Sequence, residues 1–303
     1  MLSNWTGFLL VVSAGLCWIG IGISVSICAR RGWNYDLVQG LNYFGAALVC
    51  GVLLACHAWP SASSSKILAL VFLMNSLAGI ANFYTYVLTA KAMRIGPNGL
   101  IWGIMQAGMI GSTLMGICFF GEHATLPRLA GLLLIVGGVF AMGLGRDRQS
   151  GTGGGRWLVP SLGAFCLVML THCCNTLPSF FPETAGTGSI FRAFGMYSGG
   201  VIGFATFTLP GLIRKRECGG KGEWISAVIL MVLNTAASCF LFYKGLDLLA
   251  GSGAGGLGYP VAIGVCVAGF SLYSLLFLKE KFARLSLGGL IAVCLGIIII
   301  TLK

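Results

Sequence analysis

Amide and aromatic side chains recur at helical spacing inside otherwise apolar stretches of this chain. The clearest set is Asn98, Trp102 and Gln106, which lie four residues apart and so share one face of a helix. Amides both donate and accept hydrogen bonds, and a ring offers a flat apolar surface for stacking. Polar groups in a membrane helix are costly unless they face the protein interior or water, so this face predicts contact with a small solute. The alternative is that these side chains only hydrogen-bond neighbouring helices.

Similar residues occur in other apolar segments, and we expect them to line the same cavity. In one segment Asn75, Asn82 and Tyr86 share a face with Gly79, where a second helix could approach closely. Trp18 is more typical of packing or of the membrane interface. The remaining candidates are Gln39, Tyr43, Asn175, Asn234, Ser238 and Tyr259.

His172 is the best candidate for a group that carries a proton. It lies near the middle of an apolar segment, and histidine titrates near physiological pH, so it could couple solute movement to proton movement. The alternative is a neutral buried histidine bonded to one carbonyl or amide. Cys173 and Cys174 follow it directly, but this run lacks four well-spaced ligands, so we expect neither a metal nor a cofactor.

Charged residues are rare in the apolar segments, and their sequence neighbours suggest how they pair. Arg192 is expected to pair with Glu183 across a short loop, or else to meet an anionic or hydroxylated solute. Lys244 and Asp247 lie three residues apart on a helix and are expected to pair with each other.

Composition places these candidates in a membrane. Of 303 residues, 57% are hydrophobic and 9% are charged, whereas soluble domains carry about 25% charged residues. A bilayer core needs about 20 apolar residues per helical crossing. Ten segments meet that length, and they are predicted as spans over residues 6–28, 37–58, 67–90, 97–119, 126–145, 157–181, 189–213, 224–249, 255–277 and 285–302.

The positive charges predict the orientation of the chain in a cell membrane. Fourteen of the 19 Lys and Arg residues fall in the loops after spans 1, 3, 5, 7 and 9. Cytoplasmic loops are enriched in Lys and Arg, so these loops are expected in the cytoplasm and both termini outside. Because the basic residues are not interleaved with aromatic ones, the net charge of +11 does not indicate nucleic-acid binding.

The chain contains an internal repeat at an offset of 158 residues. It matches Glu122 to Glu280, and it also matches Gly131 to Gly289 and Gly138 to Gly296. Because five is odd, a second copy of five spans must enter the membrane from the opposite side, and such inverted repeats are typical of secondary transporters. We therefore predict an all-α membrane protein with ten transmembrane helices as two inverted five-helix repeats. The repeats are residues 1–148 and 157–303, and residues 149–156 are a cytoplasmic linker.

These repeated segments carry a resemblance to a known family. FFGEHATLPRLAGLLLIVGGVFAMG and its partner FLKEKFARLSLGGLIAVCLGIII resemble the turn and final helix of each repeat in the drug/metabolite transporter superfamily. The outward termini, and the segment GIANFYTYVLTAKAMRIGPNGLIWGI, resemble its sugar-uptake branch, which includes rhamnose/proton and glucose importers. The resemblance implies a central cavity lined by spans 1–4 and 6–9, with spans 5 and 10 outside it.

Together these features predict a secondary transporter rather than an enzyme or a channel. The sequence has no phosphate-binding G-x-x-x-x-G-K-[ST], no HExxH and no GxSxG motif. One hypothesis is proton-linked import of a sugar or similar polyhydroxy solute, and the alternative is export of an amino acid, drug or other metabolite. Whether the glycine-rich spans pack within one chain or form a homodimer stays open at this stage.

Overall fold

The protein is a bundle of helices, described here from a computed structural model. The structure describes residues 2–56, 64–93, 98–147, 156–215, 218–277 and 284–301, together with residues 60 and 95. Within these residues the chain forms α-helices and short 3-10 or π segments, and no strand. This is the expected result for an apolar chain, because lipid offers no partner to an unpaired backbone group and a helix satisfies its own.

Thirteen α-helices follow one another along the described chain. They are α1 (Leu2–Arg31), α2 (Tyr35–Cys56), α3 (Ser65–Met93), α4 (Asn98–Gln106), α5 (Ile110–Phe120), α6 (Leu126–Asp147), α7 (Leu158–Thr176), α8 (Ser189–Phe207), α9 (Leu209–Lys215), α10 (Lys221–Ala236), α11 (Tyr243–Ala250), α12 (Gly258–Leu276) and α13 (Arg284–Thr301).

Six helical stretches of the described chain are long and apolar enough to cross a membrane. They are Trp5–Ser24, Tyr35–Cys56, Ser65–Thr89, Leu158–Phe180, Lys221–Ala250 and Gly255–Tyr273. A seventh is formed if α8 and α9, which meet at 45°, count as one span. The protein is therefore a multi-pass membrane protein. Three of the ten predicted spans correspond to shorter apolar helices, Ile104–Phe120, Leu126–Ala141 and Arg284–Ile300.

Breaks within the spans have identifiable causes. The bend between α8 and α9 precedes Pro210, which lacks an N–H and clashes with the carbonyl four residues earlier. A 3-10 segment, Ala107–Met109, separates α4 from α5, and a π segment, Ala237–Phe242, separates α10 from α11. A π segment inserts an extra residue into a helical turn and so changes which side chains face the protein interior.

The bundle exposes many apolar side chains at its surface and buries both an apolar core and many polar side chains. Leu133 and Val159 are 70% and 77% exposed, as expected for lipid-facing residues, whereas Asn175 and Arg192 are almost fully buried. α3 packs against α7 and α8, α1 against α12, α11 and α10, and α2 against α8 and α10. α6 packs along α13. These contacts leave the polar faces turned toward a common interior.

Glycines allow some of these helices to touch backbone to backbone. A Cβ on Gly79 in α3 would collide with the Met196 carbonyl in α8, and one on Gly199 with the Ser76 carbonyl in α3. The prediction that a second helix approaches at Gly79 is confirmed, because only a residue without a side chain permits such a close crossing.

Candidate functional site

A central cavity lies between α1, α2, α3, α4, α7, α8, α12 and the α10–α11 stretch. The volume of the cavity is about 90 Å³, which is room for several water molecules. Among the described residues that line it, none is charged. Its polar groups are amides, hydroxyls and one imidazole, and its aromatic groups are Trp18, Tyr43, Tyr86, Trp102, Tyr197, Phe242, Tyr243 and Tyr259.

The structure brings most of the sequence-predicted residues to this cavity. They come from helices far apart in sequence, and they are Trp18, Gln39, Tyr43, Asn82, Tyr86, Trp102, Gln106, His172, Asn234, Ser238 and Tyr259. The backbone of Asn98 begins α4, but its side chain lies outside the described part of the structure. Sequence reasoning therefore located half of the 22 residues that line the cavity in the described chain.

Asn75 does not line the cavity. It lies two helical turns before Asn82, and its Nδ2 donates to the Val71 carbonyl at 2.8 Å. A Cβ on Gly195 of α8 would lie 3.1 Å from the Asn75 Cβ, so this part of α3 faces a neighbouring helix. A helical face can be continuous in sequence while different turns meet different neighbours, and here one turn faces a helix and the other the cavity.

Asn175 lies behind the cavity wall and connects two of its tyrosines. Its Nδ2 donates to the Tyr259 hydroxyl at 2.9 Å, and its Oδ1 accepts from the Tyr243 hydroxyl at 3.1 Å. We call Tyr243, Asn175 and Tyr259 the tyrosine roof, since both rings face the cavity and are fully or nearly fully buried. Asn175 thus orients the wall instead of contacting a solute.

His172 is stacked against the tyrosine roof. Its ring lies 3.8 Å from that of Tyr259, nearly parallel, and the Trp18 ring lies 6.3 Å from Tyr259 on a similar plane. His172 is 4% exposed, and its Nδ1 is buried without a hydrogen-bond partner in the protein. Most buried polar atoms in folded proteins have a hydrogen-bond partner, so Nδ1 is an exception, on a residue that lines the cavity.

Arg192 lies beyond the tyrosine roof and pairs with Asp247. Its Nη1 contacts the Asp247 carboxylate at 2.6 Å, while Nη2 donates to the Asn175 carbonyl at 2.6 Å and to the Ser179 hydroxyl at 2.9 Å. The guanidinium also lies 4.5 Å above the Tyr243 ring. Helical spacing predicted that Asp247 pairs with Lys244. In the structure Asp247 forms an ion pair with Arg192, because α8 and α11 become adjacent in the folded bundle.

An amide pair forms another part of the wall. Asn234 Nδ2 donates to Asn42 Oδ1 at 3.3 Å, joining α10 to α2. The Tyr197 hydroxyl contacts the Asn234 carbonyl at 2.7 Å and the Ser238 hydroxyl at 2.8 Å. These side chains hold each other in place while leaving donor and acceptor capacity for a solute.

Sequence reasoning missed several wall residues. Asn42 lies three residues after Gln39 and could have been found by the same helical spacing. Phe242, which ends the π segment, and Tyr243, which follows it, both line the cavity. No local sequence signal marks that segment. Thr171, Met196 and Tyr197 were also missed.

The site offers no metal chemistry within the described residues. No group of three or more His, Cys, Asp or Glu side chains in that part of the chain could hold a metal ion. What the wall can do is hydrogen-bond neutral polar groups and stack flat apolar faces.

Comparison with known proteins identifies a similar fold. No family model and no curated protein matches the chain. Its fold is similar to that of a protein of known crystal structure, with a TM-score of 0.67 over 97% of this chain and 95% of the other. The two sequences are 14% identical. The likeness shows that this chain shares a fold already seen in a solved protein.

Proposed function

We propose that this protein is a secondary transporter that carries a small neutral polyhydroxy solute across a cell membrane by alternating access. The observation that carries the proposal is the cavity wall, in which amides and aromatic rings from many helices surround a space without a charged side chain among the described residues. A charged solute would leave water for such a space without a partner for its charge, and that transfer is costly. Hydroxyl groups find amide partners there, and C–H faces find rings.

His172 is proposed as the group that couples this movement to protons. The residue lines the solute cavity and its Nδ1 has no hydrogen-bond partner in the protein, so a proton there would change the charge beside a bound solute. Stacking on Tyr259 fixes the ring orientation. A change of protonation at this ring therefore changes what the cavity binds.

We further propose ten spans, with Ile104–Phe120, Leu126–Ala141 and Arg284–Ile300 crossing the membrane alongside the other seven. The contacts between α6 and α13 support two inverted repeats. A Cβ on Gly131 would lie 2.8 Å from the Gly296 carbonyl, and one on Gly138 would lie 2.6 Å from the Gly289 carbonyl. The repeat equates Gly131 with Gly289 and Gly138 with Gly296, so a two-fold rotation maps each contact onto the other. The residue numbers run in opposite directions, as inversion requires.

The wider packing supports the same symmetry. α1 packs on α12 as α7 packs on α4 and α5, which are the corresponding elements under the repeat. α3 packs on α7 and α8 as the α10–α11 stretch packs on α1 and α2. A cavity between two such halves can open to either side in turn, which is the basis of alternating access.

This arrangement favours membership of the drug/metabolite transporter superfamily near its sugar-uptake branch. The Glu-containing turns, the outward termini predicted from charge, and the peripheral pairing of α6 with α13 all agree with that resemblance. The family assignment, the cell membrane as the location and the solute class form one proposal, which a binding experiment tests most directly.

The experiment is a thermal-shift screen of the purified protein in detergent with sugars, polyols, nucleosides, amino acids and lipophilic cations. A ligand that binds the folded state raises apparent stability by mass action. We expect shifts confined to neutral polyhydroxy compounds. Shifts confined to amino acids or lipophilic cations would overturn this solute class and favour the exporter alternative.

Two asparagines of α3 provide a matched control. Asn82 lines the cavity, so Asn82→Ala should weaken solute binding. The expected loss is about fivefold, because a hydrogen bond contributes about 1 kcal/mol. Asn75→Ala should leave the affinity unchanged, because Asn75 is bonded to its own helix. Equal losses of affinity in both variants would place the solute elsewhere.

A further inference from the structure

The turn between α5 and α6 is hydrogen-bonded to the glycine-rich segment that leads into α12. Glu122 follows Gly121, which ends α5 in the left-handed conformation at φ 65°. The Glu122 side chain is turned inward, and the residue is 7% exposed. Its two carboxylate oxygens accept from the Gly256 N–H at 3.1 and 3.2 Å. A carboxylate from the first half thus holds the backbone of the second.

The carbonyl of Gly256 is held as well. It accepts from the Thr113 hydroxyl at 2.8 Å and from the Ser112 hydroxyl at 3.2 Å. A Cβ at Gly256 would lie within 3 Å of the Ser112 carbonyl, the Glu122 carboxylate and the Thr113 Cα, so only glycine fits. We call Ser112, Thr113, Glu122 and Gly256 the clasp. It grips both backbone polar groups of one residue.

The clasp lies one helical turn before Tyr259. Since Tyr259 stacks on His172 and binds Asn175, the position of Gly256 sets the position of a ring in the cavity wall. If the entry of α12 moved away from α5, Tyr259 would leave the tyrosine roof. The wall of the cavity would then open at this end of the bundle.

We propose that Glu122 is a positioning residue that latches this end of the cavity. It keeps the entry of α12, and with it Tyr259, in the closed arrangement, and it is released into water when this end opens. The inference rests on the proposed transport function and names the group that controls access to the site from this side. The charge pattern of the sequence assigns this side to the exterior.

Opening and closing therefore change the surroundings of a carboxyl group. Burial raises the pKa of Glu122 above its ordinary value of 4.5, while the Gly256 N–H and nearby Arg128 act in the opposite direction. Arg128 donates to the carbonyls of Gly253 and His123. His123 and Cys118, close to Glu122 in sequence, have exposed side chains, and residues 251–257 carry no titratable side chain. The helix α11, which packs against Gly255–Leu257, carries Tyr243, Lys244 and Asp247, and Asp247 pairs with Arg192.

The sign of the pH effect follows from that direction. A carboxyl group whose pKa is higher in the closed than in the open arrangement takes up a proton on closing. The closed arrangement therefore gains stability as pH falls toward and through the ordinary glutamate pKa, and it loses stability as pH rises through the raised pKa. An acidic exterior would favour closure after the solute has entered.

The natural thiol of Cys266 lines the cavity and reports its accessibility. Sealed vesicles are treated, on either side, with a membrane-impermeant thiol reagent, and mass spectrometry locates the label. Phe120, at the end of α5, stacks on Phe180, which precedes α8, so the clasp lies at the end of the bundle where α8 begins. Cys218 is exposed beyond α9 and marks the opposite face. We expect Glu122→Ala to raise Cys266 labelling from the clasp side about tenfold, since hydrogen bonds to a charged group are strong.

Glu122→Gln separates the latch from its titration. Glutamine still accepts from Gly256 but cannot ionise, so the labelling rate of the native protein divided by that of the variant should fall between about pH 8 and about pH 5. The division removes the pH dependence of the thiol itself. Cys266→Ser identifies the signal, and His123→Ala, which changes an exposed neighbour, should behave like the native protein.

Either of two results would overturn the proposal. Native labelling in Glu122→Ala would show that the clasp does not control access, and a ratio independent of pH would show that Glu122 does not titrate with closure. If Glu122→Ala does not fold, Thr113→Val removes one clasp hydrogen bond and should still raise labelling. No solute is added, so failure here is distinguishable from failure of the transport proposal.

Discussion

Two buried polar atoms that lack a protein partner mark where a solute would bind. The Tyr43 hydroxyl and His172 Nδ1 are both buried without a hydrogen bond, and both residues line the cavity. Three other buried atoms of the described chain, Asn75 Oδ1, Arg192 Nε and Thr235 Oγ1, also lack a partner, but their residues do not line the cavity. Since an unpaired buried group costs free energy, a solute that pairs these two atoms recovers that cost on binding.

At the residue scale, we expect His172→Gln to abolish uphill solute uptake driven by a proton gradient. Glutamine hydrogen-bonds but does not titrate, so solute binding and solute exchange should persist while coupling is lost. The measurement compares gradient-driven accumulation with counterflow in liposomes. His123→Gln, an exposed histidine, is the matched control and should accumulate solute normally. Intact accumulation in His172→Gln would remove His172 from the coupling mechanism.

At the element scale, glycine spacing decides how closely two helices approach. α6 and α13 meet through Gly131, Gly138 and Gly296, each of which lies against the backbone of the other helix. In lipid no hydrophobic effect drives helices together, so close van der Waals packing of this kind stabilises the pair. The same reasoning explains Gly256 before Tyr259, because a Cβ there would lie 2.8 Å from the Ser112 carbonyl of α5.

Adjacent glycines in α6 test this packing. A Cβ at Gly138 would lie 2.6 Å from the Gly289 carbonyl, so Gly138→Ala must push α13 away and should cost about 1–3 kcal/mol of stability. Gly137 has open space around it, so Gly137→Ala should leave stability unchanged or slightly raised. Thermal unfolding in detergent measures both. Similar destabilisation of the two variants would show that α6 and α13 do not pack through Gly138.

At the scale of the whole molecule, the distribution of positive charge predicts the orientation. The 14 basic residues in the odd-numbered loops should lie in the cytoplasm, which puts both termini outside. Epitope tags at either end should therefore bind antibody on intact cells. A tag in residues 149–156 should bind only after permeabilisation. Detection of the terminal tags only after permeabilisation would reverse the orientation and with it the side assigned to the clasp.

Helix positions, the membrane class and half of the cavity residues followed from the sequence. Apolar length and helical spacing are local properties, and they located seven spans and the inward positions of Asn82, Trp102 and Gln106. They did so because lipid requires helices and penalises polar groups that face it.

Only the tertiary structure decided which partner each polar group has. It placed Asn75 against α8, paired Arg192 with Asp247, and turned Glu122 onto Gly256. Each of these outcomes depends on which helices become neighbours. Local spacing specifies the face on which a side chain lies, whereas the packing of distant segments specifies what that face meets.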